Sequence, residues 1–389
     1  MEQKFDVIIV GAGPAGSTAA VLLKKFNRSV LLIDKERFPR DKPCGGYLTK
    51  RIFDRFTYLK RNLGEITEVP TYGSYFYSPN LSKLEWIKGV PVGYLVLRTK
   101  FDNYLKDLAV MKGAEILEGK RVEDLVVNEN EAKVILQDGT SYRANLIIGA
   151  DGVRSVIAEK SQIYEKSPST TKGLCIVNEY EVPTADIDNI YGNKRATHYF
   201  YGFGGIIGYS WVFPKKNHIN IGIGGPSSAG RELGCIFPKF LNFLHENLMV
   251  PKRTYLKAKF KGSLIPLSTA LYLNRSYTDR VLLAGDALGV VSSISGEGIY
   301  QSMASGEDAG IIANDALNEE KFDALFLKQY EKIWKKDLGI ELKSVANIMQ
   351  LSSTKPKEEL LKKISSVFEK MKEDENFFNF FANSFFGLK

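Results

Sequence analysis

Apolar and polar positions along this 389-residue chain alternate between two periods, and the switches between them lay out its elements. Residues 5–10 (Phe-Asp-Val-Ile-Ile-Val) form a short β-branched run that ends in a glycine turn, the pattern of a strand buried on both faces. Helical spacing follows over about 14–26, ending near Asn27, and residues 29–34 form a second buried strand. The N-terminus is therefore predicted to be a βαβ unit. Further on, 101–112 predicts an amphipathic helix with Phe101, Tyr104, Leu105, Leu108 and Ala109 on one face. Strands are predicted at 114–118, 121–128 and 132–137, with turn chemistry at Asp138-Gly139. Another buried strand, 145–150, runs into Asp151-Gly152. From about 172 to 265 the pattern is strand-rich, with strands at 174–182, 197–202, 206–213 and 218–224. A strand at 281–284 leads into Gly285-Asp286, and a helix begins near Gly298. The chain closes in Lys- and Glu-rich helix with apolar stripes, ending in the Phe-rich run 377–386.

This length exceeds one typical core, so two or more packed domains are expected. The expected fold class is α/β: a Rossmann-like nucleotide-binding domain interleaved with a β-sheet-rich substrate domain, plus a C-terminal helical segment. Segments 1–68, 98–160 and 270–325 are assigned to the first, 69–97 and 161–269 to the second, and 326–389 to the third.

Composition changes this picture little, at 44% hydrophobic and 25% charged. The formal net charge of +8 suits a phosphate-bearing substrate, an anionic lipid surface or nucleic acid, and equally a Lys-rich solvated surface. Nothing resembles a nucleic-acid-binding motif, so no nucleic-acid partner is expected. Three cysteines (Cys44, Cys175, Cys235) without a CxxC or a Cys/His cluster argue against a disulfide scaffold or a metal site and favour a reducing compartment. His198, His218 and His245 fall in no ligand spacing and read as surface or satisfied-core residues. Met1 leads directly into a strand, leaving no room for a signal peptide, and no run of about 18 apolar residues occurs. A cytoplasmic protein, either free or peripheral to a membrane, is expected.

The chemistry begins at Gly11, Gly13 and Gly16, a GxGxxG between a strand and a helix, with Pro14 and Ala15 inside it. The first glycine permits the tight turn, the second admits a pyrophosphate to the backbone, and the third allows close helix–strand packing. The helix N-terminus offers free N–H groups to the phosphates. Asp34, with Lys35 beside it, ends the second strand where a carboxylate can accept hydrogen bonds from ribose hydroxyls. These residues indicate an adenine dinucleotide without separating NAD from FAD. Asp151-Gly152 and Gly285-Asp286 favour FAD, because each sets an Asp and a Gly after a buried strand, able to meet the pyrophosphate and ribityl chain.

In the order and spacing of these three motifs, residues 1–315 resemble the aromatic-hydroxylase superfamily of flavoproteins. The resemblance implies that Arg98 contacts the cofactor, with a surface salt bridge as the alternative, and that Val122 touches the adenine through its backbone. Within the superfamily, Arg40-Asp41-Lys42-Pro43-Cys44-Gly45-Gly46, the YxWxFP segment 209–214 and Ser295-Gly-Glu-Gly-Ile299 resemble the geranylgeranyl reductase family. Its members include archaeal digeranylgeranylglycerophospholipid reductases and the prenyl-chain reductases of chlorophyll synthesis. That likeness implies FAD as cofactor and reduction of isolated double bonds in isoprenoid chains, on a phospholipid, prenyl diphosphate or prenylated quinone. One departure is Val-Ser-Ser-Ile at 291–294, where many relatives carry a proline before the turn.

An isolated trisubstituted alkene accepts hydride poorly, because no carbonyl spreads the developing charge. Protonation is therefore expected ahead of, or with, hydride transfer, through a carbocation-like transition state that aromatic faces and a dry pocket stabilise. Tyr209, Trp211 and Phe213 share strand parity and are candidates to wall the alkene site; ordinary core aromatics are the alternative. Cys44 is a candidate proton donor or flavin gate beside Gly45 and Gly46, or a small buried hydrophobe. A redox partnership of Cys44 with Cys175 or Cys235 stays open. Gly296 and Gly298 are expected to aim a helix N-terminus at the flavin. The Phe-rich tail reads as internal packing, a tunnel cap or a lipid-interface anchor beside the Lys-rich segment 355–372. Two other functions use the same fold or cofactor: a hydroxylase or halogenase, and a flavin-binding regulator without turnover. Halogenases carry a WxWxIP-type segment and a lysine for hypohalous acid transfer, so YxWxFP and PCGG argue against that reading. No second GxGxxG follows a strand, so the reductant is open between NADPH, ferredoxin and another donor.

Overall fold

The structure is a computed structural model that describes residues 4–163, 172–252, 254, 256–293, 295–343 and 356–388. Its strands begin with β1 (Lys4–Val10), β2 (Val30–Asp34), β3 (Tyr47–Thr49), β4 (Val69–Tyr77), β5 (Lys83–Ile87) and β6 (Gly93–Leu95). They continue with β7 (Glu115–Glu118), β8 (Val122–Val127), β9 (Ala132–Leu136), β10 (Ser141–Gly149), β11 (Lys172–Glu181) and β12 (Arg195–Tyr201). The last are β13 (Tyr209–Pro214), β14 (His218–Pro226), β15 (Gly262–Pro266), β16 (Tyr277–Thr278) and β17 (Val281–Leu283). The chain forms two compact units: Met1–Asp41, Thr99–Thr171 and Pro266–Ile348 make one, and Lys42–Arg98, Lys172–Ile265 and Met349–Lys389 the other.

In the first unit the sheet order is β16-β17-β10-β1-β2-β7, with β9 added to β10 and β8 to β9. Strands β17, β10, β1, β2 and β7 run parallel. Both faces of this core are covered, which is why residues 7–10, 31–33, 146–148 and 281–283 are apolar without alternation. Parallel pairing brings the carboxyl ends of neighbouring strands to one edge. Gly11 follows β1, Asp34 ends β2, Asp151 follows β10 and Gly285-Asp286 follow β17, so four sequence motifs converge there. Helix Pro14–Lys25 packs against helix Ile299–Glu319 closely enough that a Cβ at Gly306 would lie 2.2 Å from the Ala15 carbonyl oxygen.

In the second unit the order is β15-β11-β14-β13-β12-β4-β6-β3, with β5 paired to β4. One face of this sheet carries Phe200, Val212, Ile221 and Ile223 against helix Gly230–Glu246. That helix buries Leu233, Ile236, Phe237, Phe240, Leu241 and Leu244, a helical spacing inside a stretch read from sequence as strand-rich. His198 is buried in the same unit, with its Nδ1 3.1 Å from the Tyr77 hydroxyl.

The division differs from the expected segments in two places. Residues 42–68 belong to the second unit, because β3 pairs with β6 through Tyr47↔Leu95. The C-terminal region is shared. Helix Ala324–Asp337 is tied to the first unit by Tyr330, whose hydroxyl donates to the Leu283 carbonyl at 2.6 Å. Helices Lys357–Glu373 and Glu375–Phe385 belong to the second. The Phe-rich tail packs internally: Phe378, Phe381 and Phe385 meet Phe76 edge-on at 5.6–6.0 Å, and Phe386 stacks on Trp86 at 5.2 Å. Phe380 is the exception, 69% exposed.

Two outcomes are expected. Gly306→Val forces two helix backbones apart and should cost about 1–3 kcal/mol, read as a lowered melting temperature with the flavin bound. Burial lowers the His198 pKa to about 3, below its unfolded value. Its contribution to stability is therefore present above about pH 6.5 and lost as pH falls toward 3, by on the order of 4 kcal/mol. Urea unfolding across that window should show a shallower acid slope for His198→Phe than for the parent.

Candidate active site

The nucleotide-binding edge of the first unit is built from backbone. Gly11 has φ +104°, and a Cβ there would lie 2.2 Å from the Ala150 carbonyl oxygen, so a side chain is excluded on both counts. A Cβ at Gly16 would lie 1.9 Å from the Gly11 carbonyl oxygen, which explains the third glycine. Helix Pro14–Lys25 starts at Gly13 without a side-chain cap, and Pro14 removes one N–H that the helix could not use. Ala15 is buried in its first turn. Asp34 is already oriented: its carboxylate accepts from the N–H of Ala12 at 2.7 Å and of Glu36 at 2.9 Å. Lys35 beside it is exposed.

Arg40 is a residue that the sequence reading did not place in the site. Its Nη2 pairs with Asp102, which is fully buried, at 2.7 Å, and it lies 3.6 Å from where a Gly13 Cβ would stand. Its Nη1 is buried without a hydrogen-bond partner. A guanidinium beside an uncapped helix start, with one buried N–H left without a partner, fits a phosphate oxygen of a dinucleotide. The available signal was its position three residues before Pro43-Cys44-Gly45-Gly46.

The other expected contacts of this unit fall at the same edge or behind it. Asp151 turns its carboxylate inward, accepting from Ser155 Oγ (2.5 Å) and from the N–H groups of Val156 (2.7 Å) and Ile157 (3.2 Å). Burial holds its carboxyl above the usual range in spite of those bonds. Gly152 has φ +88° and open space at its Cβ position. Gly285 has φ +61°, donates its N–H to Ser305 Oγ at 3.0 Å, and leaves only 2.9 Å between a would-be Cβ and Ala15, so Gly285-Asp286 abut the glycine-rich turn. Gly296 has φ +68°, and Gly298 precedes helix Ile299–Glu319, with its Cβ position 2.9 Å from Val291. The Val-Ser-Ser departure is built in: Val291 bridges Leu267, and Ser293 Oγ bonds Ser268 Oγ at 2.8 Å, while Ile294 lies outside the described residues. Val122 is buried on β8.

In the second unit, Arg98 is buried at the start of helix Arg98–Met111. The sheet face opposite helix Gly230–Glu246 is aromatic. Register places Tyr199 opposite Trp211 and Tyr201 opposite Tyr209, with Gly222 and Gly224 facing Trp211 and Tyr209 on the other side. Tyr209, Trp211 and Phe213 do share that face, with successive ring centroids 5.8 and 6.1 Å apart. A Cβ at Gly222 would lie 2.1 Å from the Trp211 ring, so the indole lies flat because its neighbour is glycine. The Cys44-Gly45-Gly46 loop crosses the same face: a Gly45 Cβ would lie 2.5 Å from the Phe213 ring and 3.4 Å from Trp211 Nε1. Cys44 Sγ accepts the Gly46 N–H at 3.4 Å. Tyr47 and Phe213 are 6.2 Å apart, and Tyr47 and Phe386 5.4 Å, so the loop and the C-terminal helix meet over the sheet.

The protonation states follow from burial. The Tyr209 phenol is pushed up by burial and by the neighbouring Cys175 and Cys44 thiols, so it stays protonated and offers a ring face. Burial, reinforced by Cys44, raises the Cys175 thiol to about 12. All three cysteines are free thiols. Among the described residues no cluster of three or more His, Cys, Asp or Glu side chains is placed to hold a metal ion. Nor is any described helix long and apolar enough to cross a membrane. Arg40 yields the test of the nucleotide edge: Arg40→Lys should weaken FAD binding about 10-fold, and Arg40→Met more, by fluorescence titration of the apoprotein.

Residues 4–218 match the FAD binding domain family. The chain is 30% identical over 363 residues to the digeranylgeranylglycerophospholipid reductase of Methanosarcina acetivorans, covering 88% of this chain and 83% of that protein. A geranylgeranyl bacteriochlorophyll reductase-like protein of Thermoplasma acidophilum shares the fold, with TM-score 0.79, 23% identity, and 94% of this chain and 91% of that chain covered. The halogenase PltM also shares the fold, with TM-score 0.70, 18% identity, and 90% of this chain and 76% of that chain covered. A cofactor-holding edge and a PCGG loop laid on a YxWxFP strand thus coincide with the family match: the chain belongs to the FAD-binding flavoproteins and, among them, to the geranylgeranyl reductase family.

Proposed function

We propose that this protein reduces isolated double bonds in geranylgeranyl chains of isoprenoid lipids, with FAD as its cofactor. The observation that carries the reading is the aromatic face of the second unit, crossed by the Cys44-Gly45-Gly46 loop and covered by the C-terminal helix. Gly11, Gly13, Asp34 and Arg40 hold the dinucleotide in this reading, with Pro14, Ala15, Gly16, Gly285 and Asp286 shaping the turn around it. Lys35, Arg98, Val122, Asp151, Gly152, Gly296, Gly298 and Ile299 are its further proposed contacts, as are Cys44, Gly45 and Gly46. Reduced FAD supplies the hydride equivalent.

What the side chains do follows from the substrate. An isolated alkene has no polar group to grip, so recognition rests on apolar area and ring faces. Tyr209, Trp211 and Phe213 supply those faces, and Tyr199 and Phe385, 4.9 Å apart, extend them. A wall of buried rings excludes water and stabilises positive charge developing on the alkene during protonation. Buried Tyr209 is a poor acid, which leaves Cys44, hydrogen-bonded by the Gly46 amide, as the proposed proton donor. The substrate class, an isoprenoid lipid or prenyl diphosphate, and a reductant such as NADPH or ferredoxin follow from the same reading. Its positive charge and exposed Phe380 suit peripheral contact with a lipid surface.

The test is anaerobic. The flavoprotein is reduced with dithionite and given geranylgeranyl diphosphate or a digeranylgeranylglycerophospholipid, and flavin reoxidation is followed together with product mass. Products heavier by pairs of hydrogens are expected; reoxidation that requires oxygen and yields an oxygenated or halogenated product sinks the reading. Trp211→Leu should keep its flavin and lose about 10- to 100-fold in single-turnover rate. Cys44→Ser with full single-turnover reduction would remove Cys44 from proton delivery.

A further inference from the structure

Asn220, Glu179 and Lys215 form a polar cluster at the Cys44 loop. Asn220 is 1% exposed on β14, opposite Phe213 on one side and Glu179 on the other. Its Oδ1 accepts the Trp211 indole N–H at 2.7 Å. Its Nδ2 donates to the Cys44 carbonyl at 3.0 Å and to Glu179 Oε2 at 2.9 Å. The same carboxylate oxygen accepts from Lys215 Nζ at 2.7 Å. Lys215 is 1% exposed, and its ammonium lies 3.0 Å from the position of a Gly46 Cβ.

We infer that Asn220 is a positioning residue, whose amide sets the Cys44-Gly45-Gly46 loop and the Trp211 indole in one mutual geometry. The chemistry of the three partners allows no other side chain. An indole N–H requires an acceptor, whereas a peptide carbonyl and a carboxylate require donors. Among side chains of this size only an amide offers an acceptor at one end and two donors at the other. Asp has no donor when ionised and would set a second carboxylate against Glu179; Leu fills the volume and satisfies nothing. The Glu179–Lys215 pair selects which end of the amide faces the loop, since a flipped amide would turn its oxygen on a carboxylate. Burying the Lys215 ammonium is costly, and Glu179, whose side chain is 30% exposed, pairs with it while also accepting from Asn220. This inference rests on the proposed function only for its purpose, namely holding Cys44 and Trp211 ready for the same substrate.

The experiment reads the loop directly and without substrate. Cys44 alkylation by iodoacetamide is followed by mass spectrometry in FAD-loaded Cys235→Ser protein, which removes the exposed thiol, while buried Cys175 serves as an internal control. At pH 8, Asn220→Asp and Asn220→Leu should each raise the Cys44 rate about 10-fold over the parent. The charged or titratable groups around position 220 are Glu179 on β11, Lys215 in the β13–β14 turn and Cys44 on the loop. In Asn220→Asp a proton taken up as pH falls relieves the repulsion between the two carboxylates and supplies one donor in place of the amide's two. The rate ratio of that variant to the parent should therefore drop toward one between pH 8 and 5.5, whereas the Asn220→Leu ratio stays flat. Leu241→Ala, which thins the core on the opposite face, controls for general loosening and should leave Cys44 unchanged. Unchanged alkylation in both Asn220 variants, or an equal rise in Leu241→Ala, overturns the inference. If Asn220→Leu does not fold, the pH dependence of Asn220→Asp decides alone. Absence of alkene reduction by the parent protein would count against the proposed function and leave this measurement intact.

Discussion

The parallel pairing of β17, β10, β1 and β2 is the constraint on which the nucleotide edge depends. Pairing in one direction means that every loop leaving a carboxyl end arrives on the same side. The Gly11 turn must then pass directly over the Ala150 carbonyl, where no side chain fits. With that turn in place, the helix start, the Asp34 carboxylate and the buried Arg40 guanidinium converge without further machinery. The tight contact of Gly306 with Ala15 keeps the two helices behind the edge at a distance that lets Gly285 meet the same turn.

The second unit is built on a different principle, and in the proposed reading it recognises a ligand with nothing polar along its chain. Its sheet is asymmetric. One face is an ordinary aliphatic and aromatic core against helix Gly230–Glu246, and the other carries rings that remain flat because glycines stand opposite them. A polar cluster, Trp211–Asn220–Glu179–Lys215, interrupts that apolar face. Its position beneath the Cys44 carbonyl shows what the polarity is for: a loop that must hold one shape above an apolar surface needs directional bonds, because apolar contact alone has no preferred orientation.

Halogenase-like and reductase-like proteins share this fold, so fold alone does not select the chemistry. In the proposed reading the selection lies in side chains on the second unit. Tyr209, Trp211 and Phe213 form a continuous ring surface, and the buried phenol of Tyr209 stays protonated. In that reading such a surface suits a reaction that passes through positive charge on an alkene.

Local pattern by itself determined the nucleotide half. The βαβ unit, the glycine roles and the Asp34 position were legible because each depends on residues within about 30 positions of one another, where strand and helix periods are strong. The shared face of Tyr209, Trp211 and Phe213 was legible for the same reason, since strand parity is a local property. Strands β3–β6 and helix Gly230–Glu246 were not read, because short edge elements and a helix inside a strand-rich stretch acquire their identity from what they pack against. Arg40 and Asn220 escaped for a similar reason. An arginine in a polar loop and an asparagine in a strand look ordinary until tertiary structure buries one beside Gly13 and sets the other between Trp211 and Cys44, 176 residues apart from its loop partner. The Phe-rich tail carried three meanings in sequence. Phe378, Phe381, Phe385 and Phe386 pack internally on Phe76, Trp86 and Tyr199, because only the folded sheet presents an apolar face for those rings to cover.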